Sequence, residues 1–268
     1  MPYISNHEGI KLYLDEYLPD EPDDRPPLVF LHGFTLDRRM WREQGEFFKK
    51  TRRVIVPDAR GHGESDRPVT GYSRDDRAAD LLDLLDALHI EKCHLIGLSM
   101  GGSTAIGFAL KHQERLASLT LVSSGAAGYA VGRKISRVDE IAREKGIEAA
   151  REKWVQVTLA YYKDDKKALS GRIEQMMRDH SGAIWADPKR GQYPSSDDLA
   201  NVHKIKVPTA IFTGELDRIF IKLSRLLAEQ IKGADLHVYE GVGHMVNMEA
   251  PERFNRDLST FLDRAERV

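Results

Sequence analysis

Short, continuous apolar runs recur along the chain: Leu28-Val29-Phe30-Leu31, Val54-Ile55-Val56, Cys93-His94-Leu95-Ile96, Leu119-Thr120-Leu121-Val122 and Thr209-Ala210-Ile211-Phe212. Runs of this length with little polar alternation suit strands covered on both faces, as in a parallel sheet. Helical periodicity fills the intervals. Leu81, Leu84, Leu85 and Leu88 fall at i, i+3, i+4, i+7, and Phe254, Leu258, Phe261 and Leu262 repeat that stripe near the C-terminus. Strand runs alternating with helical stripes predict an α/β fold: a mostly parallel central sheet, helices on both faces and right-handed crossovers. Ahead of these runs, residues 11–17 alternate as a half-buried strand does, and the proline- and aspartate-rich residues 19–27 read as a loop.

The alternation stops between about Ala126 and His203, where no strand run occurs and residues 147–160 and 166–179 have charged, helical character. The expected division is therefore a core of residues 1–125 and 205–268 interrupted by a helical lid of residues 126–204. That insertion holds Trp154, Trp185, Tyr129, Tyr161, Tyr162 and Tyr193. They either pack among themselves or also line a pocket beneath the lid.

Composition excludes several classes of function. With 268 residues, 40 Lys+Arg and 42 Asp+Glu, the net charge of −2 is not that of a polybasic nucleic-acid binder. The single cysteine, Cys93, forms neither an intrachain disulfide nor a cysteine zinc cluster. No run approaches the ~18 apolar residues of a membrane span, and the first residues lack a signal-peptide layout, so a soluble cytoplasmic protein is expected. The 10 histidines include no His-x-x-x-His pair. Neither a dinucleotide fingerprint after the first strand nor a Walker lysine is present. The expectation is no metal, no cofactor, no nucleic-acid partner and no membrane.

Chemistry concentrates at Gly97-Leu98-Ser99-Met100-Gly101, a G-x-S-x-G pattern between the apolar run ending at Ile96 and the small-residue helical stretch 102–110. That is the strand–turn–helix setting in which the pattern has meaning: a sharp turn lifts a serine hydroxyl off the sheet, and side chains at the flanking glycines would strike close-packed backbone. Four further segments follow the same order: Leu31-His32-Gly33-Phe34, then Pro57-Asp58-Ala59-Arg60-Gly61-His62-Gly63-Glu64-Ser65-Asp66, then Thr213-Gly214-Glu215-Leu216-Asp217, and finally Gly241-Val242-Gly243-His244. With these motifs, residues 3–262 resemble the α/β-hydrolase superfamily, in particular its lid-bearing branch of esterases, lactonases, cofactor-free haloperoxidases and C–C bond hydrolases.

Serine is a weak nucleophile that needs a base, histidine is the usual base near neutrality, and a carboxylate must orient that histidine. Ser99, Asp217 and His244 occur in the order this fold uses. Glu215 is the nearest substitute for Asp217, while Ser123-Ser124-Gly125, where some relatives carry the acid, has no carboxylate. Two backbone N–H groups must face the developing oxyanion. Met100 follows the nucleophile, and the resemblance to the His-Gly-X loop implies Phe34 as the second. His32, His62, Asp58 and Asp66 are expected to hold loops in place. Trp41, Trp154, Met176 and Trp185 are candidates for lining the substrate pocket.

These residues together imply a serine hydrolase of a small-molecule carboxylic ester or lactone. A C–C bond hydrolase, or a lyase using the same three residues on a carboxylated substrate, is the first alternative, with Arg38 and Arg39 as possible carboxylate partners. A small-ligand receptor with slow or no turnover is the second. Chain length, stereochemical preference and oligomeric state are not encoded in these motifs.

Overall fold

A computed structural model describes residues 2–21, 23–129, 133–160, 167–190, 192–193 and 197–267. Tyr161 and Tyr162 lie outside the described residues. Eight strands form one sheet: β1 (Tyr3–Ser5), β2 (Lys11–Tyr17), β3 (Leu28–Leu31), β4 (Val54–Pro57), β5 (Cys93–Leu98), β6 (Leu116–Val122), β7 (Thr209–Gly214) and β8 (Asp235–Tyr239). Their order is β1-β2-β4-β3-β5-β6-β7-β8. β1 and β2 pair antiparallel, β2 runs antiparallel to β4, and every later pairing is parallel.

Both faces of β3 to β7 are largely buried, the edge strand β8 less so, and strand alternation divides their side chains between two cores. Leu28 and Phe30, Val54 and Val56, Ile96 and Leu98, and Ala210 and Phe212 join one core with α1 (Arg42–Phe48) and α10 (Pro251–Ala265). Val29, Ile55, Leu95 and Ile211 face the other core with α2 (Arg74–Ala87), α3 (Met100–His112) and α8 (Ile221–Gln230). Leu81, Leu84 and Leu85 of the leucine stripe and the whole C-terminal stripe are buried faces of α2 and α10, while Leu88 is the half-buried C-cap of α2.

Between β6 and β7 the chain forms α4 (Arg133–Lys145), α5 (Ile147–Leu159), α6 (Lys167–Asp179) and the single turn α7 (Ala183–Ala186), with no strand among the described residues. A third apolar cluster forms there from Val138, Ala150 and Trp185, against which Trp154 and the partly buried Phe34 of the loop after β3 pack. One more short helix, α9 (Val246–Glu249), follows β8. The loops that carry the expected site residues leave the carboxyl ends of β3, β5, β7 and β8, the edge at which open α/β sheets place their sites.

Candidate active site

Ser99 sits between β5 and α3 with φ 53° and ψ −108°, a backbone conformation that non-glycine residues rarely adopt. The turn is possible because the surrounding positions lack side chains. A Cβ on Gly97 would stand 2.4 Å from the Gly101 carbonyl oxygen, and one on Gly101 would stand 2.3 Å from that of Leu31. Although Ser99 occupies the N-cap position of α3, its side chain makes no capping bond. The turn is tied instead through the backbone: Ser99 N–H donates to Val122, and Gly125 N–H donates to the Ser99 carbonyl at 3.1 Å.

Asp217 follows β7 and is 2 % exposed. Its Oδ1 accepts from the N–H groups of Ile219 and Phe220, each at 3.0 Å, and its Oδ2 lies 2.9 Å from Nδ1 of His244. Burial pushes its carboxyl pKa up, but the His244 charge and hydrogen bond, with the Phe220 N–H, outweigh burial and hold it below the usual carboxylate value. Glu215 is exposed and accepts from the Gly241 N–H, so it stabilises the β8 loop and does not pair with the imidazole. The loop carrying His244 has a second clamp that sequence reasoning missed: Glu249 accepts from the N–H groups of Gly243 and Met245. The acidic residue five positions after the histidine was its only signal.

His244 and Ser99 lie at the same edge of the sheet. The Phe220 ring packs 5.4 Å from the His244 ring and also borders Gly125, which is bonded to Ser99. The Asp217–His244 link is closed, whereas no hydrogen bond joins Ser99 to His244. Links of that kind commonly tighten only in the substrate complex.

The loop after β3 faces the serine turn, and a Cβ on Gly33 would lie 3.7 Å from the Ser99 Cβ. His32 braces this loop: Nε2 accepts from the Ala59 N–H at 2.9 Å, which leaves Nδ1 to donate to the Gly33 carbonyl at 2.9 Å. Among the described residues, the backbone N–H groups of Phe34 and Met100 have no acceptor within the chain. Asp58 and Asp66 accept from neighbouring backbone N–H groups: Arg38 and Glu64 donate to Asp58, and Lys11 to Asp66. His62 is buried 5.0 Å from the His32 ring and 4.6 Å from that of His180. Burial, with the charges of His180 and His32, holds its pKa well below the usual histidine value.

The expected lining residues separate into two groups. Phe34 meets Trp154 and Trp185 edge to face at 5.3 and 5.6 Å, so these two tryptophans close over the loop after β3. Met176 is buried and borders a cavity of about 230 Å³ with Leu36 and His180. Trp41 departs from the expectation. It is 0 % exposed and packs between Phe30 and Phe254, so the apolar core, not a pocket, selects it. The two arginines beside it differ as well. Arg38 binds Asp15, Asp58 and Glu64, and Arg39 binds Asp37 and Asp179. Both guanidinium groups are matched by carboxylates of this chain.

A family model of the alpha/beta hydrolase fold matches residues 26–251. The chain belongs to this family. It is 32% identical over 269 residues to the 2-hydroxy-6-oxononadienedioate/2-hydroxy-6-oxononatrienedioate hydrolase of Klebsiella pneumoniae, covering 93% of this chain and 91% of that one. It is 28% identical over 264 residues to 3-oxoadipate enol-lactonase 1 of Acinetobacter baylyi, covering 97% and 96%. Among solved structures, a thermophilic esterase from Thermogutta terrifontis aligns with a TM-score of 0.84 at 28% identity over 98% of each chain. The enol-lactonase from Burkholderia xenovorans gives 0.84 at 26% identity, covering 98% of this chain and all of that one. This α/β-hydrolase is thus an enzyme-family member whose relatives act on small molecules, and no helix among its described residues is long and apolar enough to cross a membrane.

Proposed function

We propose that this α/β-hydrolase cleaves a carboxylic ester or lactone with Ser99 as nucleophile, His244 as base and Asp217 as its orienting acid. The observation that carries this reading is the buried Asp217 carboxylate bonded to His244 at the edge of the sheet where Ser99 stands on a strained turn. Asp217 holds Nδ1–H, so Nε2 of His244 has the lone pair that removes the serine proton. Ser99 Oγ then bonds to the substrate carbonyl carbon, and the carbonyl electron pair moves onto oxygen. The Phe34 and Met100 N–H groups receive that oxyanion, aided by the N-terminus of α3. Collapse of the tetrahedral intermediate breaks the C–O bond, with the His244 proton going to the leaving alcohol. Water, deprotonated by His244, attacks the acyl-serine and releases the acid.

Residues 126–204 act in this reading as a lid, with Trp154, Trp185 and Met176 lining the substrate side. The substrate is a small molecule, and the one buried free cysteine, Cys93, suits a cytoplasmic setting. The similarity to C–C bond hydrolases keeps a second reading in view, in which the same three residues cleave a carbon–carbon bond. Arg38 and Arg39 already pair with carboxylates of this chain, which weakens the case for them as partners of a substrate carboxylate. Two measurements test the choice. A fluorophosphonate probe should label the wild type and leave folded Ser99→Ala unlabelled, and p-nitrophenyl esters of increasing chain length beside a lactone panel should show Ser99-dependent turnover. Cleavage of a dicarboxylated diketone, with no ester or lactone turnover, would establish the second reading instead.

A further inference from the structure

Thr35 directly follows Phe34 and is 1 % exposed, at the seam between the loop after β3 and the helical insertion. Its φ of 60° is left-handed, an uncommon and costly conformation for a β-branched residue unless its surroundings hold it. The turn closed by the Leu36 N–H on the Gly33 carbonyl at 3.2 Å places Thr35 at its third position, where positive φ occurs, and two side-chain hydrogen bonds add to it. Trp154 Nε1–H, on α5, donates to Thr35 Oγ1 at 2.6 Å, and Thr35 Oγ1–H donates to the Phe34 carbonyl at 2.6 Å. A hydroxyl has one proton to give and lone pairs to accept with, so both bonds form at once and fix its direction.

The side chain of Phe34 is held from the same side. Trp154 and Trp185 meet its ring at interplanar angles of 77° and 85°, and the Arg190 guanidinium lies over it at 5.5 Å. The residue expected to donate one of the two oxyanion bonds is therefore gripped at its ring by groups of the insertion and at its carbonyl by Thr35, whose hydroxyl Trp154 in turn holds. Its N–H, on the opposite side of the same Cα, has no acceptor within the described chain. The Trp154–Thr35 bond opposes movement of the Phe34–Thr35 peptide, the link of backbone that follows this N–H across the Phe34 Cα.

We propose that Trp154 and Thr35 are positioning residues that set the Phe34 N–H for the oxyanion, so that seating of the insertion completes the catalytic site. This inference rests on the serine-hydrolase reading above. It assigns Trp154 a task that an apolar pocket wall would not need, because the task depends on the indole N–H.

Steady-state turnover of p-nitrophenyl acetate and the rate of fluorophosphonate labelling of Ser99 test it in the full chain, with thermal unfolding to confirm folding. Trp154→Phe keeps an aromatic ring and loses the N–H, Thr35→Val keeps the shape and loses the hydroxyl, and Thr35→Ser restores the hydroxyl. The expected result is a fall in kcat of at least fivefold for Trp154→Phe and for Thr35→Val, with KM within twofold. Labelling should slow in parallel, Thr35→Ser should retain at least half of kcat, and the double variant should be no slower than the slower single one. Unchanged kcat, an effect confined to KM, or single losses that multiply in the double variant overturn the proposal. Should Thr35→Val not be recovered folded, Trp154→Phe decides alone by the same criteria. A wild type with neither turnover nor labelling at Ser99 overturns the hydrolase reading and this inference together.

Discussion

Gly101 and the Leu31 carbonyl oxygen approach so closely that an added methyl group would stand 2.3 Å from that oxygen. The helix behind Ser99 therefore rests directly on the backbone of β3. The atom in the way is main chain and cannot swing aside. Gly101→Ala should cost about 3 kcal/mol, at the upper end of ordinary overpacking, and lower Tm by roughly 6–12 °C. Gly171, inside α6, has no atom within 4 Å of a built Cβ and no positive φ, so Gly171→Ala should add about 0.5–1 kcal/mol. Thermal unfolding of both variants checks the contrast. Equal effects would mean that the close approach at the elbow is relieved by backbone movement.

Asp217→Asn should retain the two backbone bonds to Oδ1 while reversing the hydrogen bond to Nδ1, since the amide can offer a donor there. The wrong imidazole tautomer is then favoured, and kcat/KM should fall about 10⁴-fold with little change in fold. The same substitution has a signature in stability. The wild-type carboxyl is held below its ordinary value of 3.8, so its contribution is present above that pH and fades as pH falls through the lower folded-state value. The difference in Tm between wild type and Asp217→Asn should therefore shrink as pH drops below about 3.8. A difference independent of pH would show that the carboxylate charge contributes nothing to stability.

The inner parallel strands were legible because their residues are buried on both faces, which leaves uninterrupted runs such as Leu28–Leu31 in the sequence. Helix α2 was legible because only one face is buried. β1 escaped because Tyr3–Ser5 is three residues long and takes its structure from pairing with β2. The elbow could be read because its glycines are dictated by backbone contacts that only glycine permits. Thr35 could not, since nothing in a β-branched residue announces a left-handed backbone; a tight turn from Gly33 to Leu36 places it there, and a tryptophan 119 positions away bonds its hydroxyl. Trp41 and Trp154 illustrate the limit from the other side. Both are tryptophans near the expected site, yet one fills the core and the other meets the loop after β3, a difference set by tertiary packing. The Arg38 ion cluster was equally hidden, because its three carboxylates come from separate loops and strands.

That cluster makes a third expectation. Arg38 Nη1 lies 2.6 Å from Asp58, whose side chain is 0 % exposed, and its other nitrogens reach Asp15 and Glu64 at 3.0 and 2.6 Å. Burial already pushes the Asp58 carboxyl pKa up, against the charges of His32 and Arg38 and the N–H groups of Glu64 and Arg38. Taking the guanidinium away leaves a buried carboxylate without its ion partner, a change that costs about 3–5 kcal/mol in comparable settings. Arg38→Met should accordingly lower Tm far more than Lys49→Met, which breaks the exposed pair with Glu46 and is worth about 0.3–0.5 kcal/mol. Similar small shifts in both variants would show that Asp58 is accommodated without its arginine.

His94 provides a pH-dependent test remote from the site. It is fully buried on β5, with Nδ1 2.8 Å from Ser118 Oγ and Nε2 3.0 Å from Glu266. Burial, helped by the Arg52 charge and opposed by Glu266, lowers its pKa from 6.5 to about 4. A histidine that is harder to protonate when folded binds protons more readily when unfolded. Its contribution is whole above pH 6.5, declines as pH falls, and is exhausted near pH 4, where both states are protonated. Wild-type Tm should fall between pH 6.5 and 4, and His94→Gln should fall less steeply over that window although it starts lower at pH 7. Since His62 and His180 are also held below their ordinary value, the latter at about 3, the slope should be reduced rather than abolished. Parallel curves for wild type and His94→Gln would mean that the imidazole is protonated equally in the folded and unfolded chains.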